Sequence, residues 1–415
     1  MSNVIIKSKL DMQEKIDLMQ YDARFDIAGD DDFLAPDLSS IKNQFKSRKR
    51  LATLPKLFMS NDCVFNCAYC GCRESNDGKR CYTNEPKELA RIAVANAAAQ
   101  DKGIFITSAI RKNSDYTMEL IIEAMRQIRR NYGFTGYIHT KIMPGTDSEL
   151  IRRAGMLANR LSVNIEVTKS EGYSRVARNK SKKNILEPMG QISRFIRDAK
   201  GEKGRFAPAF AGSHSTQIMA GSTNESDYEI LRLANALYRK YDLARVCYTP
   251  FQYTNPARGY DALQPASTPT WRVKRLYQAD RLMALYGFNP EDIAPDTDPN
   301  LTYDIDPKAA WALRHIHLYP IEVNTAEYEM LLRIPGIGTV YAQRIMKARK
   351  YCKVTHEVLR ALGVSLKRSR HFLTCDGKFQ GDKIGNINGY RRLLATPLET
   401  LDSERTIRHS LDCCI

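Results

Sequence analysis

Three cysteines crowd into one short stretch, NDCVFNCAYC beginning at Asn61, where Cys63, Cys67 and Cys70 are spaced CxxxCxxC. Thiolates are soft ligands suited to zinc or iron–sulfur clusters, and three of them leave one iron of a four-iron cluster without a protein ligand. An iron with that opening can bind a substrate. The other readings are a zinc site and a set of unliganded thiols. Structural zinc usually draws two separated Cys or His pairs. No second pair here has matching spacing, although Cys72 and Cys81 lie close enough to complete a four-thiolate site.

The spacing, with Tyr69 directly before the last cysteine, resembles the signature of the radical S-adenosylmethionine (SAM) superfamily. The resemblance implies a 4Fe-4S cluster held by Cys63, Cys67 and Cys70, with the amino and carboxylate groups of SAM chelating the fourth iron. It implies reductive cleavage of SAM to a 5′-deoxyadenosyl radical that takes a hydrogen atom from the substrate. It also implies an external electron donor such as flavodoxin or ferredoxin. The cofactor carries the hard chemistry, and the protein supplies position and exclusion of water.

Such a loop needs a rigid frame, and strand and helix signals alternate around it. Residues 56–60 form a short apolar run that delivers the loop from its C-terminal end, where a barrel places its chemistry. Strands are expected at 103–108, 136–142, 160–167 and 244–249, with extended segments at 206–210 and 215–221. Helices are expected at 86–100, 115–131 with Ser114 as N-cap, 147–159, 189–200 after a loop ending at Pro188, and 227–241. Repeated strand–helix units of this length argue for a parallel sheet wrapped by helices. Six of them resemble the partial (β/α)6, TIM-like barrel of radical SAM enzymes, an α/β fold.

Alternation within the strands picks out inward-facing residues. Leu161, Val163, Ile165 and Val167 share one face, and Ser162, Asn164 and Glu166 share the other. A central parallel strand is normally apolar on both faces, so a polar face turned into a barrel suggests a ligand. Tyr137, His139 and Lys141 alternate in the same way. Lys141 and Glu166 are candidate contacts for the methionine carboxylate and ribose hydroxyls of SAM, with Asn164 beside them. The alternative is that these polar residues pair with one another. Where the superfamily carries a Gly-Gly-Glu-like stretch for the SAM amino group, this chain has Thr107-Ser108-Ala109, whose hydroxyls and carbonyls can accept the same hydrogen bond. Residues 217–225, QIMAGSTNE, resemble the adenine-side GxIxGxxE pattern: Gly221 fits, Gln217 replaces the first glycine, and Glu225 falls one residue late. On the last strand Cys247 could return a hydrogen atom to a substrate radical, with Tyr248 beside it; a small buried strand cysteine is the plainer reading.

The 415 residues suffice for one large domain and a smaller one. A hydrophobic share of 43% and a mean hydropathy of -0.44 describe a globular chain without an apolar run of the roughly 20 residues that span a membrane. A cytoplasmic location is expected, since half of the ten cysteines fall between Cys63 and Cys81 and an oxygen-sensitive cluster needs a reducing compartment. Sixty-three Lys plus Arg against 47 Asp plus Glu leave a net charge of +16. That surplus favours a polyanionic partner through counterion release, or serves only solubility. Arg175, Arg178, Lys180, Lys182 and Lys183 concentrate it in one loop, and Lys42 to Arg50 in a second basic run.

Prolines punctuate a helical connector after Asp261, with helices at 271–286 and 307–316. The sequence NTAEYEMLLRIPGIGTVYAQRIMKARK from Asn324 then reads as a helix capped by Asn324 or Thr325, a tight turn, and a second helix. It resembles a helix-hairpin-helix, which grips a nucleic-acid backbone without reading sequence. Gly336 and Gly338 would let the chain approach a phosphate at a helix N-terminus, and Lys347 and Arg349 add positive charge. Residues 356–370 offer the second half of a hairpin pair. Together these features give an organisation of a helical, basic N-terminal extension (1–50), the barrel (51–260), the connector (261–322), an all-α hairpin domain (323–375) and a tail (376–415).

Loop, barrel and hairpin in this order, with Arg73-Glu-Ser-Asn76-Asp77, Ser215-Thr-Gln217 and Leu366-Lys-Arg-Ser-Arg370, resemble a bacterial family of radical SAM proteins assigned to DNA modification or repair. The resemblance implies a nucleic-acid substrate, DNA favoured over tRNA, and a partner related to uracil-DNA glycosylases. A tRNA-modifying enzyme of the same chemistry, or a non-catalytic nucleic-acid-binding protein that uses a metal only for folding, are the other readings.

Overall fold

The computed structural model describes residues 12–23, 54, 56–100, 103–201, 210–253, 258–260, 263, 266–382 and 386–395. The basic run at 42–50, residues 206–209 of the extended segment expected at 206–210, and the end of the tail lie outside them. The chain runs α1 (Met12–Ala23), β1 (Lys56–Phe58), α2 (Pro86–Gln100), β2 (Ile104–Thr107), α3 (Ser114–Arg130), β3 (Ile138–Lys141), α4 (Ser148–Leu157), β4 (Arg160–Ser162), α5 (Glu171–Val176), α6 (Lys182–Gly201), β5 (Ser213–Ala220), α7 (Asp227–Tyr241) and β6 (Arg245–Pro250). Strands β1 to β6 pair in that order, each parallel to the next. This open parallel sheet is consistent with a partial TIM-like barrel.

Its two faces differ as the alternation requires. Leu57, Ile104, Ile106, Ile138, Leu161, Ile218 and Val246 point outward and are buried with Leu89, Met118, Ile151, Ile192 and Leu231 of the surrounding helices. The opposite, concave face carries a row Lys56, Phe105, His139, Arg160 and Ser213, paired strand to strand. Two residues further along the strands, Lys141, Ser162, Ser215 and Arg245 form a second row, and Gln217 pairs with Cys247 above it.

Several local details depart from the expectations. The cap of α3 is Asn113, whose side chain accepts from Tyr116 N–H at 2.8 Å, while the Ser114 hydroxyl donates to Pro144 O at 2.6 Å. Helix α6 starts at Lys182 and runs through Pro188. A proline removes the hydrogen bond to the carbonyl four residues back; here that carbonyl, of Asn184, accepts instead from Gly145 N–H at 2.6 Å. The strand expected over 160–167 stops at Ser162, because the Thr216 hydroxyl takes the Ile165 N–H and donates to Val163 O, and Glu166 adopts a left-handed backbone (φ 65°) before bridging to Ile218.

The remainder comprises β7 (Gln252–Tyr253), β8 (Ala266–Ser267), α8 (Thr270–Tyr286), α9 (Pro290–Ile293), α10 (Pro307–Arg314), β9 (Ile321–Glu322), α11 (Tyr328–Arg333), α12 (Thr339–Ala348), α13 (His356–Ala361), α14 (Leu366–Ser369), β10 (Leu373–Cys375), β11 (Lys378–Phe379) and α15 (Ile387–Leu394). The C-terminal part is therefore not all-α: β9, β10 and β11 form a small sheet. Burial alone would raise the pKa of Glu322, but donors from Gly377, Asn324 and Asp376 hold it down at about 2 and fasten β9 to the β10–β11 turn. Glu327, not Asn324 or Thr325, precedes α11, since Asn324 is spent on Glu322 and Val354. The tail contributes α15, tied back by Arg391 to Asp304 at 2.5 and 2.8 Å.

Candidate active site

The cysteine loop is closed at its base by the pairing of Ser60 with Thr83, and Asn61 ties its two ends through Arg80 O and Tyr82 N–H. It leaves the C-terminal end of β1 and is held from two sides. Val64 N–H donates to Ile110 O beyond β2, and Ala68 N–H donates to Val176 O of α5. Inside the loop Lys79 donates to Cys72 O and Arg73 O, Arg73 to Cys70 O, and Asn76 to Gly71 O. The polar run after the cysteines thus serves the loop's own shape.

Cys67 is buried and Cys63 and Cys70 are half-buried. Burial pushes the Cys63 thiol up, with Cys70 adding to it, and pushes Cys67 up to about 12, where Lys180 pulls against burial and Cys70 and Cys63 add to it. Cys70 is pulled down to about 7, first by a hydrogen bond from the Cys72 side chain, against burial, and further by the Cys72 backbone. Cys72 is therefore a neighbour that stabilises the Cys70 thiolate. Phe65 N–H points at Cys63 Sγ at 3.3 Å. Among the described residues no three His, Cys, Asp or Glu side chains converge on a point where one metal ion could sit. A four-iron cluster takes three thiolates on three separate irons, the donor set that Cys63, Cys67 and Cys70 supply.

Behind the loop lies an ion pair that the sequence did not reveal. Lys180 Nζ sits 2.9 Å from Glu166 Oε1 and 3.0 Å from Tyr69 Oη, with side-chain exposures of 12% for Lys180 and 5% for Glu166. Burial would lower the Lys180 pKa, but Glu166 and the Cys67 and Cys70 thiolates outweigh it and raise it. The Tyr69 hydroxyl is pushed well up by burial and then by Glu166. Lys180 belongs to the basic loop expected to face phosphate, yet α5 folds that loop under the cysteines and turns this one ammonium inward. Its neighbours Arg175, Arg178 and Lys182 stay exposed beside the loop, Arg178 stacked 4.6 Å from the Tyr260 ring.

The concave face brings most of the other candidates together. Asn164 donates to Gln217 at 3.1 Å, and Gln217 donates to Thr249 at 3.0 Å. His139 Nε2 lies 2.9 Å from Ser162 Oγ and its ring stacks on Phe105 at 4.2 Å. Thr107 is buried on the same face; the Ser108 hydroxyl donates to Ala109 O at 2.6 Å. Gly221 turns with φ 84°, and a Cβ there would overlap Thr268 Oγ1, so packing against the connector explains this glycine. Glu225 closes the same turn by accepting from Thr223 and Gly221 N–H.

Two expected site residues stand elsewhere. Tyr248 alternates with Cys247 and so faces outward, where its hydroxyl donates to Asp280 of α8 at 2.9 Å, away from the barrel mouth. Arg349 donates to Ala326 O at 2.5 Å and Val323 O at 3.4 Å, clamping the start of α11, which leaves Lys347 exposed. In the turn between α11 and α12, Gly336 is exposed with φ 91°, while the carbonyl of buried Ile337 accepts from Lys308, which burial pushes down to about 7. Gly338 lies against the Tyr286 hydroxyl.

Residues 57–198 match the family model described as the Radical SAM superfamily. No curated protein matches the chain. Among solved structures it is similar to the crystal structure of HydG, a maturase of the FeFe-hydrogenase, at 14% identity and a TM-score of 0.44 over 65% of this chain and 61% of that one. It is also similar to the FeFe-hydrogenase maturase HydG from Carboxydothermus hydrogenoformans, at 17% identity and a TM-score of 0.44 over 67% and 61%. The chain spans 61% of the length of each. The matched residues hold the cysteine loop and strands β2 to β4, and proteins of this family generate a radical from SAM with a 4Fe-4S cluster. No helix of the described residues is long and apolar enough to cross a membrane.

Proposed function

We propose that this chain is a radical SAM enzyme that modifies or repairs a nucleic acid, DNA in preference to tRNA. The observation that carries the enzymatic half is the cysteine loop, which lies within the residues that match the superfamily and is pinned at the C-terminal end of the first strand of an open six-stranded parallel sheet. Cys63, Cys67 and Cys70 would hold the cluster, and with SAM bound it supplies reductive cleavage to a 5′-deoxyadenosyl radical. The chain's own side chains do the rest. Lys180 sets a positive charge beside the thiolates, and Glu166 and Tyr69 fix its position. Thr107, Ser108, Asn164 and Gln217 line the concave face, where hydroxyl and amide groups can orient an adenosine and a substrate.

The nucleic-acid half is supported by charge and by shape. The net charge is +16, and exposed Arg175, Arg178 and Lys182 flank the loop. We read the two helix–turn–helix units, α11 with α12 and α13 with α14, as paired helix-hairpin-helix modules. Their turns repeat Leu-Arg-x-x-Gly at Leu332 and Leu359, and both glycines are left-handed, with φ of 91° at Gly336 and 86° at Gly363. The test is anaerobic reconstitution with iron and sulfide, then SAM, a reductant and either duplex DNA, single-stranded DNA or tRNA. Formation of 5′-deoxyadenosine, faster with DNA than with tRNA, is expected; none with any substrate overturns the reading.

A further inference from the structure

Between α6 and α7, on the helical side of the sheet, lies a cleft of about 500 Å³, a size typical of small-ligand sites. One wall is a stripe of α6 at helical spacing, Glu187, Gly190, Gln191, Arg194 and Arg197, and the other is Lys240 and Tyr241 at the end of α7. The opposite stripe of α6, with Ile185, Met189, Ile192 and Ile196, is buried. The floor is fixed: Tyr241 O accepts from Ser193 Oγ at 2.7 Å and lies 2.6 Å from His214 Nε2.

Three features of this cleft are not explained by packing. Gly190 stands in the interior of a 20-residue helix, where glycine costs stability relative to alanine. A Cβ there would meet nothing nearer than Tyr241 Cε1 at 3.8 Å, an ordinary contact, so the glycine serves to leave room in front of that ring. Gln191 is half-buried, and its Oε1 is shut off from water with no hydrogen-bond partner, an acceptor that lacks an N–H or O–H. Arg194, Arg197 and Lys240 are exposed, and among the described residues neither guanidinium meets a carboxylate or a carbonyl. Lys240 lies 5.3 Å from the Tyr241 ring centroid. The carboxylate of the cleft, Glu187, is about 10 Å along the helix from Arg194 and pairs with Lys183 at 3.9 Å. One end of the cleft is therefore cationic, and the other accepts hydrogen bonds.

We propose that this cleft binds a small phosphate ester that also carries hydroxyl or N–H donors, a nucleotide or a sugar phosphate, with its phosphate on Arg194, Arg197 and Lys240 and a donor on Gln191. Each guanidinium offers phosphate a forked pair of donors, and the lysine adds point charge. Exposed arginines alone would describe a solvated face; the unpartnered amide and the glycine opposite Tyr241 point to an occupant. The cleft lies across the sheet from the concave face, so its ligand is additional to the molecule on which the radical acts, and the inference stands apart from the reading of the substrate.

Calorimetry on the reconstituted full chain, with SAM present to occupy the concave face, tests the site. The probes are inorganic phosphate, ribose 5-phosphate, adenosine 5′-monophosphate, adenosine and a single-stranded oligothymidylate. At least one of the two esters should bind about tenfold tighter than inorganic phosphate or adenosine, and R194Q and R197Q should each weaken that binding about tenfold. Gly190→Leu should fill the cleft and abolish binding, while Gly190→Ala should raise the melting temperature; matched thermal unfolding curves show that the variants fold. Ribose 5-phosphate binding as tightly as the monophosphate, or tighter, marks a sugar-phosphate site, and a preference for the monophosphate marks a nucleotide site. No binding of either ester, adenosine binding as tightly as its monophosphate, binding of the oligonucleotide alone, or ester binding unmoved by R194Q, R197Q and Gly190→Leu overturns the proposal. Formation of 5′-deoxyadenosine in the same preparations reports the radical chemistry separately, so the two readings fail independently.

Discussion

Lys180 Nζ meets Glu166 Oε1 at 2.9 Å directly beneath the cysteine loop, and the pair is nearly shut off from water. Removing one partner of a buried pair strands the other charge and typically costs about 3–5 kcal/mol, whereas removing both is far milder. Lys180→Met should therefore lower unfolding free energy by about 3–5 kcal/mol, and the Lys180→Met/Glu166→Gln double variant should recover most of it. Denaturant titration of the three proteins measures the cycle. A single-variant loss below about 1 kcal/mol would show that the pair is solvated like a surface bridge.

Asp280 gives a pH dependence whose sign is fixed. Desolvation pushes its carboxyl up to about 6, against hydrogen bonds from Tyr248 and Tyr238 and the charge of Arg245. The folded chain thus retains a proton that the unfolded chain loses near pH 4, so this contribution is complete below pH 4 and fades as pH rises through about 6. Asp280→Asn should flatten stability across that window in thermal unfolding series. A variant with the wild-type slope between pH 4 and 6 contradicts the assignment.

Gly221 separates a packing role from a cofactor role. Its φ is 84°, and any Cβ at this position runs into Thr268 Oγ1, so Gly221→Ala combines a left-handed strain of about 1–3 kcal/mol with a clash. Adding Thr268→Ala should relieve the clash and leave the strain. Full stability of the single variant in denaturant titration would refute this account of the turn.

Lys347 and Arg349 should part company in nucleic-acid binding. Lys347 is exposed, so Lys347→Gln should weaken binding to all sequences and reduce the slope of log affinity against log salt by about 1. Arg349 holds the Ala326 and Val323 carbonyls, so Arg349→Gln should lower the melting temperature more than it changes that slope. Equal slope changes in both would mean that Arg349 leaves its carbonyls for the backbone phosphate.

The cysteine spacing and the strand–helix alternation are legible in the sequence because they are local, and the sheet order follows once each strand pairs with its predecessor. Long-range placements are not. Lys180 reads as one cation among five, and only the fold of α5 turns it inward. Tyr248 and Cys247 are adjacent, so one must face away from the barrel, and alternation from Gln217 onward assigns Tyr248 to the helices. Pro188 reads as a helix boundary because the carbonyl it orphans is rescued by Gly145, far off in sequence. Arg349 and Asn324 read as surface and cap residues because their backbone partners are set by the small sheet around Glu322.

The central claim is that three thiolates leave one iron open to SAM. Electron paramagnetic resonance of the anaerobically reconstituted, reduced full chain, recorded with and without SAM, tests it most directly. The account predicts a 4Fe-4S signal whose shape changes when SAM is added, lost in Cys63→Ser, Cys67→Ser and Cys70→Ser. Stoichiometric zinc in place of iron, or a cluster signal indifferent to SAM, contradicts it.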